Sequence, residues 1–208
     1  MIGYDCYLGR EQSDAVWGPL RDLLVSEHFL DPRRYGFHAT LRAPFELAHS
    51  VSVDDIVRHA RAFARDQRPV PLADLTPRLL DGFIALTCPA PPASLASLAE
   101  NCVRAFEPFR APLSEADRSR RLRANLSARQ LAHVETWGYP YVLEDFVFHM
   151  TLTGKLPADR TAAALQRITQ EWAPLAGPVV IDAIAILEQP SREARFRVLE
   201  RIPLGTDD

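Results

Sequence analysis

What this 208-residue chain lacks narrows its function before any motif is read. It contains no Gly-x-Gly-x-x-Gly and no Gly-x4-Gly-Lys-[Ser/Thr], so neither a dinucleotide-binding turn nor a P-loop is expected. Cysteine is scarce: Cys6, Cys88 and Cys102 are odd in number and lack a metal-pair spacing. Free thiols in a reducing cytoplasm are the economical expectation. No His-Glu-x-x-His, Cys-x-x-Cys or clustered carboxylate set occurs, so neither a metal nor another cofactor is expected. The longest apolar run, Val179 to Leu187, contains Asp182 and is far short of a membrane span. Met1-Ile2-Gly3-Tyr4-Asp5 offers neither a basic region nor an apolar core for a secretory signal, and a cytoplasmic location is expected. The formal net charge of −3 excludes coating long nucleic acid by charge alone. A small phosphorylated ligand needs only a locally basic cleft.

What is present is an ordinary globular balance, 47% hydrophobic and 25% charged residues, in which two periodicities alternate. Strand character runs from Ile2 to Leu8, and from Gly36 to Leu47 with an interruption at Pro44. Helical spacing runs over Ser13 to Phe29 and Val53 to Arg65, the latter with Ser52 as N-cap. Val70 to Leu80 and Phe83 to Thr87 flank Asp81-Gly82 and are expected to form a hairpin. Ser94 to Phe106 is helical again. Residues 108–138 are polar and carry Arg118, Arg120, Arg121, Arg123 and Arg129, which suggests an exposed helical insertion. A strand at Phe146 to Thr153, a helix at Arg160 to Trp172, and strands at Val179 to Leu187 and Arg195 to Ile202 complete the chain. This order predicts one α+β domain with largely antiparallel sheets, not a doubly wound parallel sheet.

One pattern occurs twice. Phe37-His38-Ala39-Thr40-Leu41-Arg42 and Phe148-His149-Met150-Thr151-Leu152-Thr153 share Phe-His-x-Thr-Leu, 111 residues apart. Side chains alternate between the faces of a strand. His38, Thr40 and Arg42 are therefore expected on one face, and His149, Thr151 and Thr153 on the corresponding face of the second copy. Two such strands would line a shared polar cleft. The other histidines, His28, His49, His59 and His133, lack this context and are expected to be structural or exposed.

Two imidazoles flanking one phosphate suit in-line displacement at phosphorus. One activates the nucleophile and the other protonates the departing alkoxide, both near neutral pH. Thr40 and Thr151 can donate hydrogen bonds to non-bridging oxygens. Arg42 and Lys155 are candidates for positive charge at the rim, although Arg42 equally suits the solvation of a strand end. Thr153 shares the polar face, and Tyr4, Tyr35 and Tyr139 are candidate platforms for a substrate ring.

These paired motifs resemble the two-histidine phosphoesterase superfamily, which includes cyclic nucleotide phosphodiesterases and 2′-5′ RNA ligase-like proteins. The chain is most similar to the branch encoded beside bacterial phosphonate-utilisation genes. That likeness rests on Tyr35 to Phe45, Phe109-Arg110-Ala111-Pro112-Leu113, Trp137-Gly138-Tyr139-Pro140-Tyr141 and Phe148 to Gly154. Arg42 stands where many relatives carry lysine, keeping the charge but not the geometry. The resemblance implies a bilobal fold with pseudo-two-fold symmetry, its antiparallel sheets backed by helices around a central cleft. It also implies metal-free opening of a cyclic phosphodiester, with His38 as proton donor and His149 as acceptor. The implied substrate is a small sugar phosphate such as a ribose cyclic phosphate. Two alternatives stay open: a non-catalytic module that holds a phosphorylated metabolite, and an enzyme for RNA 2′,3′-cyclic ends or 2′-5′ linkages that uses the arginines from Arg118 to Arg129 as its substrate track. In none of the three is a membrane a partner, and nucleic acid enters only as a small nucleotide or an RNA end.

Overall fold

A computed structural model describes residues 38–191 and 194–205, together with the backbone of Ile2–Cys6. The helix expected at Ser13 to Phe29, Tyr35 and the side chain of Tyr4 lie outside the described residues.

Strands β1 (Ile2–Cys6), β2 (Ala39–Phe45), β4 (Thr76–Leu80), β5 (Phe83–Thr87), β6 (His149–Thr151), β8 (Ala183–Glu188) and β9 (Arg197–Pro203) form one antiparallel sheet among the described residues. Its order is β4-β5-β6-β2-β1-β8-β9. The two outer sets meet through a single residue pair, Ala39 on β2 with Met150 on β6. Each set is thus an antiparallel unit of its own, joined at the two histidine strands. The short strands β3 (Val70–Leu72) and β7 (Val179–Ile181) pair with each other in a second, two-stranded sheet.

The sequence of elements repeats. With α1 (Val53–Arg65) and α5 (Ala158–Trp172), the chain runs β2-α1-β3-β4-β5 and later β6-α5-β7-β8-β9. In both places where equivalent strands meet, β2 with β6 and β3 with β7, a strand pairs with its own counterpart. That is the signature of a pseudo-two-fold relation. It also explains why two stretches each expected as one strand are two: Val70 to Leu80 breaks after Leu72, and Val179 to Leu187 breaks at Asp182. The first piece of each leaves the large sheet for the small one.

Local chemistry supports the elements that frame the cleft. Ser52 and Asp55 cap α1 reciprocally, the Ser52 hydroxyl accepting from the Asp55 N–H and the Asp55 carboxylate from the Ser52 N–H. Ile56, Ala60, Phe63 and Ala64 form its buried stripe. Asp81 and Gly82 close the β4–β5 hairpin with φ of 43° and 87°, the primed turn geometry that matches strand twist. One face of the large sheet, carrying Ala39, Ile84, Leu86, Met150 and Ile184, shares a single core with α1, α2 (Ala93–Phe106) and α5. Residues of opposite parity point away from that helical layer. Between the halves lie α3 (Glu115–Arg121) and α4 (Ala128–Trp137), the helices expected in the basic segment. No described helix is long and apolar enough to cross a membrane.

Candidate active site

The two His-x-Thr segments are neighbours in the middle of the sheet. Continuing the register from Ala39↔Met150 sets Thr40 across from His149 and His38 across from Thr151. All four occupy the face turned away from the helices, because Ala39, Met150 and Leu152 between them are core residues. Cβ atoms directly across an antiparallel pair lie about 4.5–5.5 Å apart, and diagonal ones about 7–8 Å. The two histidines are the diagonal pair and the two threonines sit between them. Of the four, Thr40 and His149 are among the residues that line a cavity, whereas His38 and Thr151 are not.

His149 has a fixed orientation. Its Nδ1 lies 2.8 Å from the carbonyl of Val147. A carbonyl only accepts, so Nδ1 carries the proton and Nε2 of the neutral ring is left as an acceptor. The Phe83 ring lies 6.0 Å away, centroid to centroid, on the neighbouring strand. Thr87, directly across β5 from His149, is buried.

Two residues expected on the cleft face are not there. Against β1, the partners step from Asp5↔Thr40 to Tyr4↔Arg42, so β2 carries an extra residue at Leu41. A bulge of this kind turns two successive side chains to the same side. Leu41 and Arg42 are accordingly both buried, at 3% and 2% exposure. Arg42 donates to the Val103 carbonyl at 3.1 Å and to Glu107 at 2.5 Å, on the helical side. Burial pulls its pKa down, and the Glu107 carboxylate opposes that shift. The expected rim cation is therefore an internal brace.

The second copy repeats the departure. The N–H groups of Leu152 and Thr153 both donate to the Ile84 carbonyl, at 2.9 and 3.1 Å, again crowding two residues against one. Thr153 is fully buried; its hydroxyl accepts from the Ile84 N–H and donates to the Gly154 carbonyl. Its expected place beside substrate is corrected to a backbone pin. Lys155 is exposed and pairs with Asp81 at 2.8 Å, at the hairpin turn that borders the cleft.

A cavity of about 710 Å³ opens over this face. Thr40 and His149 line it, with Phe83, Tyr139, Arg120 and Arg121 among the other walls. Tyr139 thus lies where a substrate platform was expected, though as part of a stack: the Arg121 guanidinium sits 4.7 Å above its ring, and Tyr141 meets it edge-on at 5.6 Å. Burial raises the Tyr139 pKa and Arg121 counters it. Asp81 and Asp145 also reach the wall. Asp145 accepts two hydrogen bonds from Arg129, at 2.8 and 2.9 Å, which hold its carboxyl below the ordinary range against some desolvation. His133 is buried with Nδ1 3.2 Å from the Pro140 carbonyl, the structural role expected of it.

Arg120 and Arg121 are the wall residues that sequence reading did not single out from the basic segment. Their neighbours are committed elsewhere: Arg118 to Glu135 and Arg129 to Asp145. Five arginines in a polar run carry no signal for which of them turn inward. The segment itself is fastened by Arg110, which bonds Glu107 and the Thr136 carbonyl. A Cβ on Gly138, the left-handed cap of α4, would come within 3.1 Å of the Arg110 guanidinium. The Arg42, Arg110 and Gly138 motif residues therefore belong to one clasp between β2 and the insertion.

Comparison with known proteins gives a family and a fold. The family described as "Protein of unknown function (DUF1045)" matches residues 40–197. The ribose 1,5-bisphosphate phosphokinase PhnN of Janthinobacterium sp. (strain Marseille) is 40% identical over 188 residues, 88% of this chain and 42% of that protein. The protein of the same name from Laribacter hongkongensis is 36% identical over 166 residues, 79% of this chain and 38% of that one. The chain thus spans about two fifths of the length of these curated relatives. Among solved structures, TT0787 of Thermus thermophilus superposes with a TM-score of 0.55 at 16% identity, covering 100% of this chain and 99% of that one. Apo LigT of E. coli gives 0.50 at 14% identity, covering 99% and 97%. At such identities the likeness speaks for the fold alone, which is the LigT-like two-histidine phosphoesterase fold.

Proposed function

This chain belongs to the DUF1045 family, and from that premise we propose that it is a phosphoesterase that opens a small cyclic phosphodiester with His38 and His149 as its acid–base pair. The observation that carries this is the diagonal placement of the two histidines, with Nε2 of His149 left as an acceptor by the Val147 hydrogen bond. Water activated by His149 Nε2 attacks phosphorus in line. The bond to one ring oxygen breaks on the opposite side, and His38 delivers the proton that oxygen needs. Thr40 and Thr151, between the imidazoles, donate to the non-bridging oxygens as charge shifts onto them. An acid–base pair is more than a holding site needs, which favours catalysis over simple binding.

For the substrate, a ribose cyclic phosphate is the best fit. The curated relatives are named for a ribose phosphate, and opening a cyclic phosphate yields a phosphomonoester of the kind a sugar-phosphate kinase could use. The kinase activity itself is not assigned to this chain, which contains no P-loop motif. RNA ends are disfavoured, because Arg118 and Arg129 of the basic segment are held by Glu135 and Asp145.

The test is turnover after EDTA treatment, measured on ribose cyclic phosphates, 2′,3′-cyclic nucleotides and a 2′-5′ linked dinucleotide. Hydrolysis of a ribose cyclic phosphate, unchanged by chelation, is the expected result. Turnover that disappears with EDTA and returns with zinc or manganese would replace the two-histidine mechanism by a metal-dependent one.

A further inference from the structure

We infer that the cavity contains a second anion site, made by Arg120 and Arg121, for a phosphate other than the scissile one, so that the substrate is a sugar cyclic phosphodiester carrying a separate phosphomonoester. This rests on the phosphoesterase reading above. The first support is room. At about 710 Å³ the cavity falls in the range of roughly 300–1,000 Å³ that accommodates a whole small ligand. A cyclic phosphate on the sheet floor would leave much of it empty.

The second support is charge and its origin. The floor, with Thr40 and His149, comes from the sheet, whereas the arginine wall comes from α3 of the insertion. The two carboxylates on the wall are each neutralised by a cation, Asp81 by Lys155 and Asp145 by Arg129. Arg120 pairs with Asp117, itself largely buried, which fixes the arginine to its own helix. The Arg121 guanidinium lies over the Tyr139 ring at 4.7 Å. A guanidinium held over an aromatic face keeps its charge at the cavity wall, where an anionic oxygen is favoured. Two adjacent arginine side chains on the cavity wall are better matched to an anionic monoester than to a neutral ring, Arg121 more than Arg120, whose charge Asp117 offsets.

The third support is the product. Water adds across one P–O bond of the cyclic diester: its oxygen joins phosphorus, the bond to one sugar oxygen breaks, and that oxygen takes a proton. The remote phosphate is untouched. The result is a sugar with two phosphomonoesters, the chemical class named in the curated relatives as a ribose bisphosphate. The reaction that consumes this product would then be phosphoryl transfer to a bisphosphate.

The experiment compares kcat/KM on ribose cyclic phosphates with and without a 5-phosphate, for the full chain and for Arg120→Ala/Arg121→Ala. A preference of about 10–100-fold for the phosphorylated substrate is expected, carried mainly by KM, as charge-assisted contacts of this kind give. In the double variant the preference should fall to within threefold, and Arg121→Lys should keep part of it. A wild-type preference below threefold, or one that survives both substitutions, overturns the site. If neither cyclic substrate is opened, the acid–base mechanism fails separately, and calorimetry with ribose 5-phosphate decides the subsite. Binding at least tenfold weaker in the double variant, with Arg121→Lys between it and wild type, supports it. Equal binding by folded variants removes it.

Discussion

The two histidine strands begin alike and are secured differently. In both, the regular strand lasts through His-x-Thr and a bulge comes next, at the leucine. Both residues at the equivalent next position, Arg42 and Thr153, are thereby taken out of the cleft and buried. The first copy then continues to Phe45 and uses a guanidinium to reach α2 and Glu107. The second ends at Thr151 and uses a hydroxyl to hold one N–H of β5. On the proposed mechanism only three residues of each strand need to be regular. The residues beyond them are free to serve the architecture, with a charge where a helical insertion must be anchored and a neutral pin where a hairpin neighbour lies close.

The largest effects should therefore come from the shared part. His38→Ala and His149→Ala should each lower kcat by about 10²–10⁴-fold on a cyclic phosphodiester, the usual range for one general acid or base. The double variant should be far less than multiplicatively worse, because the two act as a unit. Wild-type-like turnover by His149→Ala on every cyclic phosphate that the enzyme opens would mean that the copies are alike in shape only. Thr40→Ala and Thr151→Ala should cost less than either histidine, since the proton path stays intact.

The differing part should appear in stability instead. Arg42→Ala removes a buried guanidinium from a half-buried carboxylate that retains Arg110, and should destabilise by about 2–4 kcal/mol. Thr153→Val loses one buried hydrogen bond to Ile84 and should cost about 1–2 kcal/mol. Denaturant unfolding measures both. Equal costs would dissolve the distinction between an anchor and a pin. A selective rise in KM for Arg42→Ala, without loss of stability, would return Arg42 to the cleft.

Much of this was legible in the residues. Alternation placed His38, Thr40, His149 and Thr151 on one face, Asp81-Gly82 announced its hairpin, and Ser52 announced the cap of α1. Alternation failed beyond Leu41 and Leu152 because a bulge adds one residue to the count, and nothing in Leu-Arg or Leu-Thr announces one. The breaks within Val70 to Leu80 and Val179 to Leu187 were hidden for another reason. Strand-forming residues stand on both sides of Asp74 and of Asp182, so strand character resumes while the pairing partner changes. Arg120 and Arg121 were visible as charges but not as wall residues, since the charge run does not announce that Asp117 and Tyr139 hold them there.

The smallest effect concerns how the insertion holds the approach to the second copy. Asp145 ends the short turn Leu143–Asp145 just before His149, and Arg129 of α4 grips it with two hydrogen bonds. The first copy's anchor is buried, whereas the Arg129 side chain is 57% exposed, so solvent screens this pair. Asp145→Asn should lower Tm by only about 2–4 °C at pH 7, the small shift expected of a solvent-screened pair in a chain of this size. The pH dependence has a definite sign. The Arg129 hydrogen bonds depress the Asp145 pKa in the folded state, so its contribution is fully present above the unfolded carboxylate value of about 3.9. It is lost as pH falls through the lower, folded value. The Tm difference between wild type and Asp145→Asn should accordingly persist at pH 5 and close only below about pH 4. High salt should shrink it at neutral pH while leaving the penalty of Arg42→Ala in place, because only the exposed brace is open to screening.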